Sequence, residues 1–341
     1  MSSRSVMKSV TRRFGLFRKN HVVSPLVVLV GLVIAAAYPL TIGGPQYALS
    51  NYSVYFMWIA LAVSWNMVGG YAGLLNLGLV AFFGLGAIVA GLAMGVGVPV
   101  VPAMIIAGLS GILFSLTLIP TFRLRSDYFA IATLVVPVIL KPLVEYFSKK
   151  ESLNVPLGLI LSARDFYYLG LFMAGLSIFG VLLVMRSRIG IALRATGDDE
   201  TASASLGVNV LFYKTIALMI SGFIAAVAGA YYLQLVGSIS TTIFGDLTFS
   251  LFPIFMVIIG GSGTFEGPIL GALIFSVIEY YSPVVFVNSN ADQLAFSVVI
   301  IVVAVFLPKG VVASTRRITR RRVERRALAR KSIGNIPESS K

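Results

Sequence analysis

The sequence predicts an all-α fold: a polytopic transmembrane helical bundle of about ten crossings, with two glycine-interrupted helix pairs and both termini on the cytoplasmic side. Three observations predict it. Hydrophobic residues make up 57% of the chain and charged residues 12%, with a mean hydropathy of +0.93, a balance too apolar for a water-soluble domain. Apolar runs of bilayer length recur along the chain, a hydrocarbon core about 30 Å thick calling for roughly 20 helical residues per crossing. Basic residues are also sorted by side. Of the 27 Lys and Arg, all except Lys141, Lys149, Lys150 and Arg164 fall on segments that such a topology places on one face, and the positive-inside bias makes that face cytoplasmic.

The elements follow in order. Residues 1–21 form a basic cytoplasmic segment. Val22–Leu40 is the first span, closed by Pro39 and the turn-forming Gly43–Gln46; no small-residue cleavage motif follows it, so it reads as a membrane helix rather than a leader. Tyr52–Met94 is long enough for two short helices, with a break at Gly69–Gly78 (GGYAGLLNLG) between them. Val98–Pro120 spans next and ends at Arg123 and Arg125, followed by Asp127–Phe147 with a kink expected at Pro137. On that helix Lys141 and Glu145 stand four apart, the spacing of a side-chain pair. A polar connection, Ser148–Asp165, leads to Phe166–Met185. Beyond a polar island at residues 186–214 come Leu211–Leu233 and then Phe249–Tyr281, which repeats the broken design with GGSGTFEGP at Gly260–Pro268. Ala291–Leu307 is the last span. Residues 22–307 therefore form the transmembrane domain, and 308–341 a basic cytoplasmic tail with too little apolar surface for a core of its own.

The island RSRIGIALRATGDDETASASLGVNVLFYK gathers Arg186, Arg188, Arg194, Asp198, Asp199, Glu200 and Lys214 in a chain with few charges. Asp198 and Asp199 can open a helix, because carboxylates accept free backbone N–H groups at a helix N-terminus. Glu200–Leu206 is small and helix-compatible, and Gly207 sits at a natural stop. A short exposed helix with little apolar surface suits the cleft of a soluble partner. An ordinary solvated loop would share this composition. Paired glycine-rich interruptions are the sequence pointer to discontinuous helices beside a translocation path, since backbone freed at membrane depth must be satisfied by protein or water. The first break offers Asn66, Gly69, Gly70, Tyr71, Gly73 and Asn76, and the second Gly260, Gly261, Ser262, Gly263, Thr264 and Glu266. Both are expected toward the cytoplasmic side. Glycines at such spacing also serve close helix packing, which fits Gly84, Gly86 and Gly91 better than the breaks.

Three ordered stretches carry a resemblance: WNMVGGYAGLLNLGLVAFFGLGA at 65–87, LRATGDDETASASLGVN at 193–209, and GGSGTFEGPILGAL at 260–273. Together they look like the LivM/LivH pattern of branched-chain amino acid permeases, and the island is similar to the EAA-type coupling loop of ATP-binding-cassette importers. The resemblance implies that Arg194, Asp198, Asp199, Glu200, Thr201, Ala202, Ser203 and Gly207 form the surface that docks on an ATPase, with Thr201, Ala202, Ser203 and Gly207 aligned to the signature positions. It implies as partners two cytoplasmic ATPases, a second LivH-like permease and a periplasmic solute-binding protein, in a bacterial inner membrane. Branched-chain or other small amino acids, urea and short amides are all solutes of related permeases.

The residues exclude much else. Zero cysteines rule out a disulfide framework and thiolate chemistry, and the lone His21 lies in the basic N-terminal segment. GGSGTFEG lacks the lysine of a Walker A loop, so the chain brings no nucleotide site or other cofactor of its own, and any ATP chemistry belongs to a separate subunit. The chain is thus expected to be non-enzymatic. An ion-coupled secondary transporter would share the broken helices, but a proton relay of deep acids or histidines is not evident. The arginine-rich stretch Arg316–Arg330 suits anionic lipid beside a membrane helix better than nucleic acid.

Overall fold

The computed structural model describes residues 23–41, 46–124, 126–148 and 152–285. The expected final span Ala291–Leu307, both basic terminal segments, and Arg125, Lys149 and Lys150 lie outside them. The described chain is mostly helical: α1 (Val23–Thr41), α2 (Gln46–Asn66), α3 (Leu79–Gly95), α4 (Val100–Thr117), α5 (Ser126–Ser148), α6 (Ala163–Arg186), α7 (Arg188–Asp198), α8 (Glu200–Ser205), α9 (Val210–Val236), α10 (Thr248–Gly260) and α11 (Gly267–Val285). Five stretches are long and apolar enough to cross a bilayer: Tyr52–Tyr71, Val100–Thr117, Asp127–Tyr146, Ala163–Arg186 and Val210–Val236. Four shorter apolar helices, Val27–Pro39, Leu79–Gly95, Thr248–Gly260 and Gly267–Glu279, fall at other expected spans. The two expected interruptions are present, one between α2 and α3 and one between α10 and α11.

The core is built around α9. Its 27 residues reach about 40 Å at 1.5 Å per residue, enough to run the depth of a membrane. Small residues let α3 and α4 press against it. A methyl group added at Gly229 would lie 1.9 Å from Phe83 O, and one at Gly86 2.1 Å from Ala226 O. Side-chain entropy is cheap to lose in such alanine- and glycine-rich seams, and dispersion contacts between close backbones replace the hydrophobic term that lipid cannot supply. Near one end of α9, Tyr231 is fully buried; it stacks on Phe166 at 4.3 Å and donates to Phe166 O at 3.0 Å, tying α9 to the start of α6.

Three features depart from the sequence expectation. The fold is not purely helical: β1 (Ser152–Asn154), inside the connection read as polar and irregular, pairs antiparallel with β2 (Ser238–Ser240) directly after α9. The island is more ordered than a loop with one short helix, because Ser187 caps a further helix, α7, by accepting from Ile189 N–H. The Lys141–Glu145 pair is not formed. Strand β2 delivers the following turn, Thr241–Gly245, against α5, where the Thr241 hydroxyl donates to Glu145 at 2.6 Å. Among the described residues the ion pair observed is instead Glu200–Lys214.

Candidate functional site: two broken helices beneath a helical lever

At the end of the bundle opposite the strands, α2 does not simply stop. It loosens into a π-helical turn at Met67–Tyr71, and the chain then runs without regular structure through residues 72–78 before α3 begins. Irregular backbone inside apolar surroundings needs partners, and protein supplies several of them. Trp65 donates its indole N–H to Asn76 O at 2.7 Å, Leu77 N–H donates to Thr133 Oγ1 at 3.1 Å, Gly78 N–H to Asn76 Oδ1 at 2.9 Å and Val80 N–H to Ser250 Oγ at 2.9 Å. This is the condition under which irregular backbone survives at membrane depth.

The second break, residues 261–266, packs directly on the first. Asn66, only 2% exposed, holds it with both ends of its amide: Nδ2 donates to Thr264 O at 3.0 Å and Oδ1 accepts from Gly263 N–H at 3.0 Å. The approach requires glycine at residue 70, where a methyl group would lie 1.9 Å from Asn66 Oδ1 and 2.6 Å from Gly263 N. Gly263 itself adopts φ +68°, and the Thr264 hydroxyl closes the turn by donating to Gly261 O and accepting from Gly267 N–H.

The island meets the first break at the same end. Gly197 lies so close to it that an added methyl would sit 2.4 Å from Tyr71 O, and a methyl at Gly73 would sit 3.2 Å from Gly197 O. The Arg194 guanidinium stands over the Tyr71 ring at 5.5 Å, within cation–π range. Helix α8 projects beyond. Asp199 caps it, its Oδ1 accepting from Thr201 N–H, Ala202 N–H and the Thr201 hydroxyl, and these bonds hold its carboxyl below the usual carboxylate range. Gly207 ends the helix at φ +83°, with Val208 N–H donating to Ser203 O and Gly207 N–H to Ala204 O, a Schellman closure.

The expected site residues therefore sort themselves. Arg194, Asp198, Asp199, Glu200, Thr201, Ala202 and Gly207 are exposed, whereas Ser203 is buried and faces the bundle. In the breaks, Asn66, Tyr71 and Asn76 are buried and bind protein rather than facing open space; Gly73 and Ser262 are exposed, Gly69, Gly70, Gly263, Thr264 and Glu266 half-buried, Gly260 and Gly261 buried. Polarity alone did not separate a side chain that caps a backbone break from one that lines a path. Leu75, 42% exposed, went unremarked because it is apolar, and Leu206, read as part of the short helix, is 85% exposed. The burial of Lys214 was equally invisible, since its partner Glu200 is fourteen residues away across a turn.

A cleft of about 710 Å³ between α3, α4 and α5 lies apart from both breaks, walled by aliphatic and aromatic groups such as Leu85, Leu92, Phe114, Ile139 and Leu143. Its apolar lining matches hydrocarbon chains, not a zwitterion.

Apolar helices broken by glycine turns, clasped together under a polar lever, define a membrane permease subunit. The chain belongs to the permease components of branched-chain amino acid transport systems, matching that family over residues 47–305. It is 27% identical over 290 residues to the high-affinity branched-chain amino acid permease protein LivM of Salmonella typhimurium, covering 74% of this chain and 67% of that one. Against LivM of Escherichia coli K12 it is 28% identical over 286 residues, covering 72% and 65%, so it spans about two thirds of these enterobacterial relatives. Against a probable LivM of Methanocaldococcus jannaschii it is 22% identical over 331 residues, covering 78% and 94%. A shorter match, 28% over 130 residues, is to LivH of Escherichia coli K12. No solved structure matches.

Proposed function

We propose that this chain is the membrane-spanning permease subunit of an ATP-binding-cassette importer, moving branched-chain amino acids inward across a bacterial inner membrane. It crosses the membrane about ten times, residues 22–307 forming the permease domain and both basic termini, 1–21 and 308–341, lying in the cytoplasm, the tail against anionic lipid. It pairs with a second, LivH-like permease, takes solute from a periplasmic binding protein, and is driven by two cytoplasmic ATPases docked at the coupling segment 186–214. The chain performs no covalent chemistry. One observation carries the reading: the lever α7–α8 touches the first break through Arg194 and Gly197, and Asn66 clasps that break to the second. A push on α8 is thereby delivered to both broken helices, whose separation would open the inner gate.

Reconstitution of the chain with the paired permease, ATPase and binding-protein subunits of its own organism tests this. Leucine, isoleucine or valine uptake that requires ATP and every subunit is the expected result. Uptake of urea or acetamide instead would move the substrate class, and uptake by vesicles holding this chain alone under an ion gradient would refute the importer. The absence of native cysteine allows a topology test as well. Leu206→Cys should react with an impermeant maleimide only from the cytoplasmic face, and Leu157→Cys, 89% exposed near β1, only from the other.

A further inference from the structure

Lys214 is 3% exposed, and its ammonium is paired with Glu200, whose side chain is half exposed on the first turn of α8. The placement is costly. Lys214 is the fifth residue of α9, and burial there strips its ammonium of water. A buried ion pair generally contributes little net stability, so a methionine in its place would fill the space at no greater cost. What the pair does supply is register. It fixes the lever α8 against the base of α9, two elements that follow one another across the turn at residues 206–209.

From that base, contacts continue to the breaks. α9 is packed closely against α3 and α4 along the glycine seams. Seven residues above Lys214, Ser221 O accepts from the Ser64 hydroxyl of α2 at 2.8 Å. Two residues further along α2 stands Asn66, clasping Gly263 and Thr264.

We propose that Glu200 and Lys214 are positioning residues for transport: a charge clamp through which displacement of α8 reaches α9, Ser64 and the Asn66 clasp, in parallel with the Arg194–Tyr71 contact. This rests on the importer reading, which the experiment scores separately. In the reconstituted complex, co-purification of the ATPase reports docking, and leucine imported per ATP hydrolysed reports coupling. Lys214→Met should keep docking and the unfolding midpoint, yet lower the leucine-to-ATP ratio at least about tenfold, within the range of ordinary coupling energies; Glu200→Gln, which strands a buried ammonium, should lower the ratio together with the unfolding midpoint. The exchange Glu200→Lys/Lys214→Glu should restore most of that ratio. A wild-type ratio in Lys214→Met would overturn the clamp, as would an exchange variant that docks normally but stays uncoupled. If both single variants lose the ATPase itself, Glu200 is a docking contact and the clamp is wrong; if the unaltered chain fails to dock, the importer reading fails first.

Discussion

Asn66→Leu is the most informative single change outside the lever. Leucine branches at Cγ as asparagine does, so the side chain keeps its shape while both hydrogen bonds across the breaks vanish. Gly263 N–H and Thr264 C=O lose partners at 3.0 Å each. A buried backbone group left unpaired costs about 1–3 kcal/mol. Residues 263 and 264 are half-buried, so water can reach them in part and the lower half of that range applies. The expected loss is therefore about 2–4 kcal/mol for the two bonds, with a further penalty because a methyl 3.0 Å from an amide nitrogen must move outward. Reversible unfolding in mixed micelles measures the loss. Cysteine pairs placed at Ser262 and Gly73, both exposed, would show by cross-linking whether the breaks have separated. A loss under about 0.5 kcal/mol, the size of a neutral surface change, together with unchanged cross-linking, would mean that the breaks are held by packing alone.

Other outcomes follow from the same geometry. Gly229→Val, inserted where even one methyl meets Phe83 O at 1.9 Å, should force α9 from α3 and destabilise by at least about 1–3 kcal/mol, read as a lower unfolding midpoint. Gly207→Trp should leave membrane insertion intact, because nothing lies within 4 Å, but impose strain at φ +83° and abolish ATPase co-purification. The Asp199 cap depends on a carboxylate whose pKa is depressed by folding. Its contribution is present above the unfolded carboxylate value and is lost as pH falls through the lower folded value, so Thr201 and Ala202 amides should lose hydrogen-exchange protection, relative to neutral pH, once the pH is taken well below the ordinary aspartate range. Equal protection at both pH values would show that the cap does not hold α8.

The helices were legible because membrane burial writes itself as long apolar runs, and the breaks because glycine clusters interrupt those runs conspicuously. Asp199 and Gly207 were also readable, since capping is a local rule that acts over three or four residues. What could not be read was pairing at a distance. Nothing near Asn66 marks it as the partner of Gly263, nor Thr241 as the partner of Glu145, because both contacts depend on how helices are arranged in space. Lys214 misled for the same reason: counted among the island's charges, it belongs to the interior. The helix α7 was missed because charge content marks residues 186–214 as a polar island without resolving the helices in it; within α7, Gly190 packs tightly on Met185.

The small sheet formed by Ser152–Asn154 and Ser238–Ser240 laces the far end of α9 to the stretch between α5 and α6, two parts of the chain more than eighty residues apart. Val155 N–H adds a further stitch to Gly237 O at 2.9 Å. Backbone stitching of this kind resists shear, while at the opposite end the breaks and the segment above them are tied to one another by side chains, among them the Asn66 amide, the Arg194 guanidinium over Tyr71 and the Glu200–Lys214 pair. On the importer reading, a push on α8 would then act on the end held by side chains, with the stitched end as its fixed point.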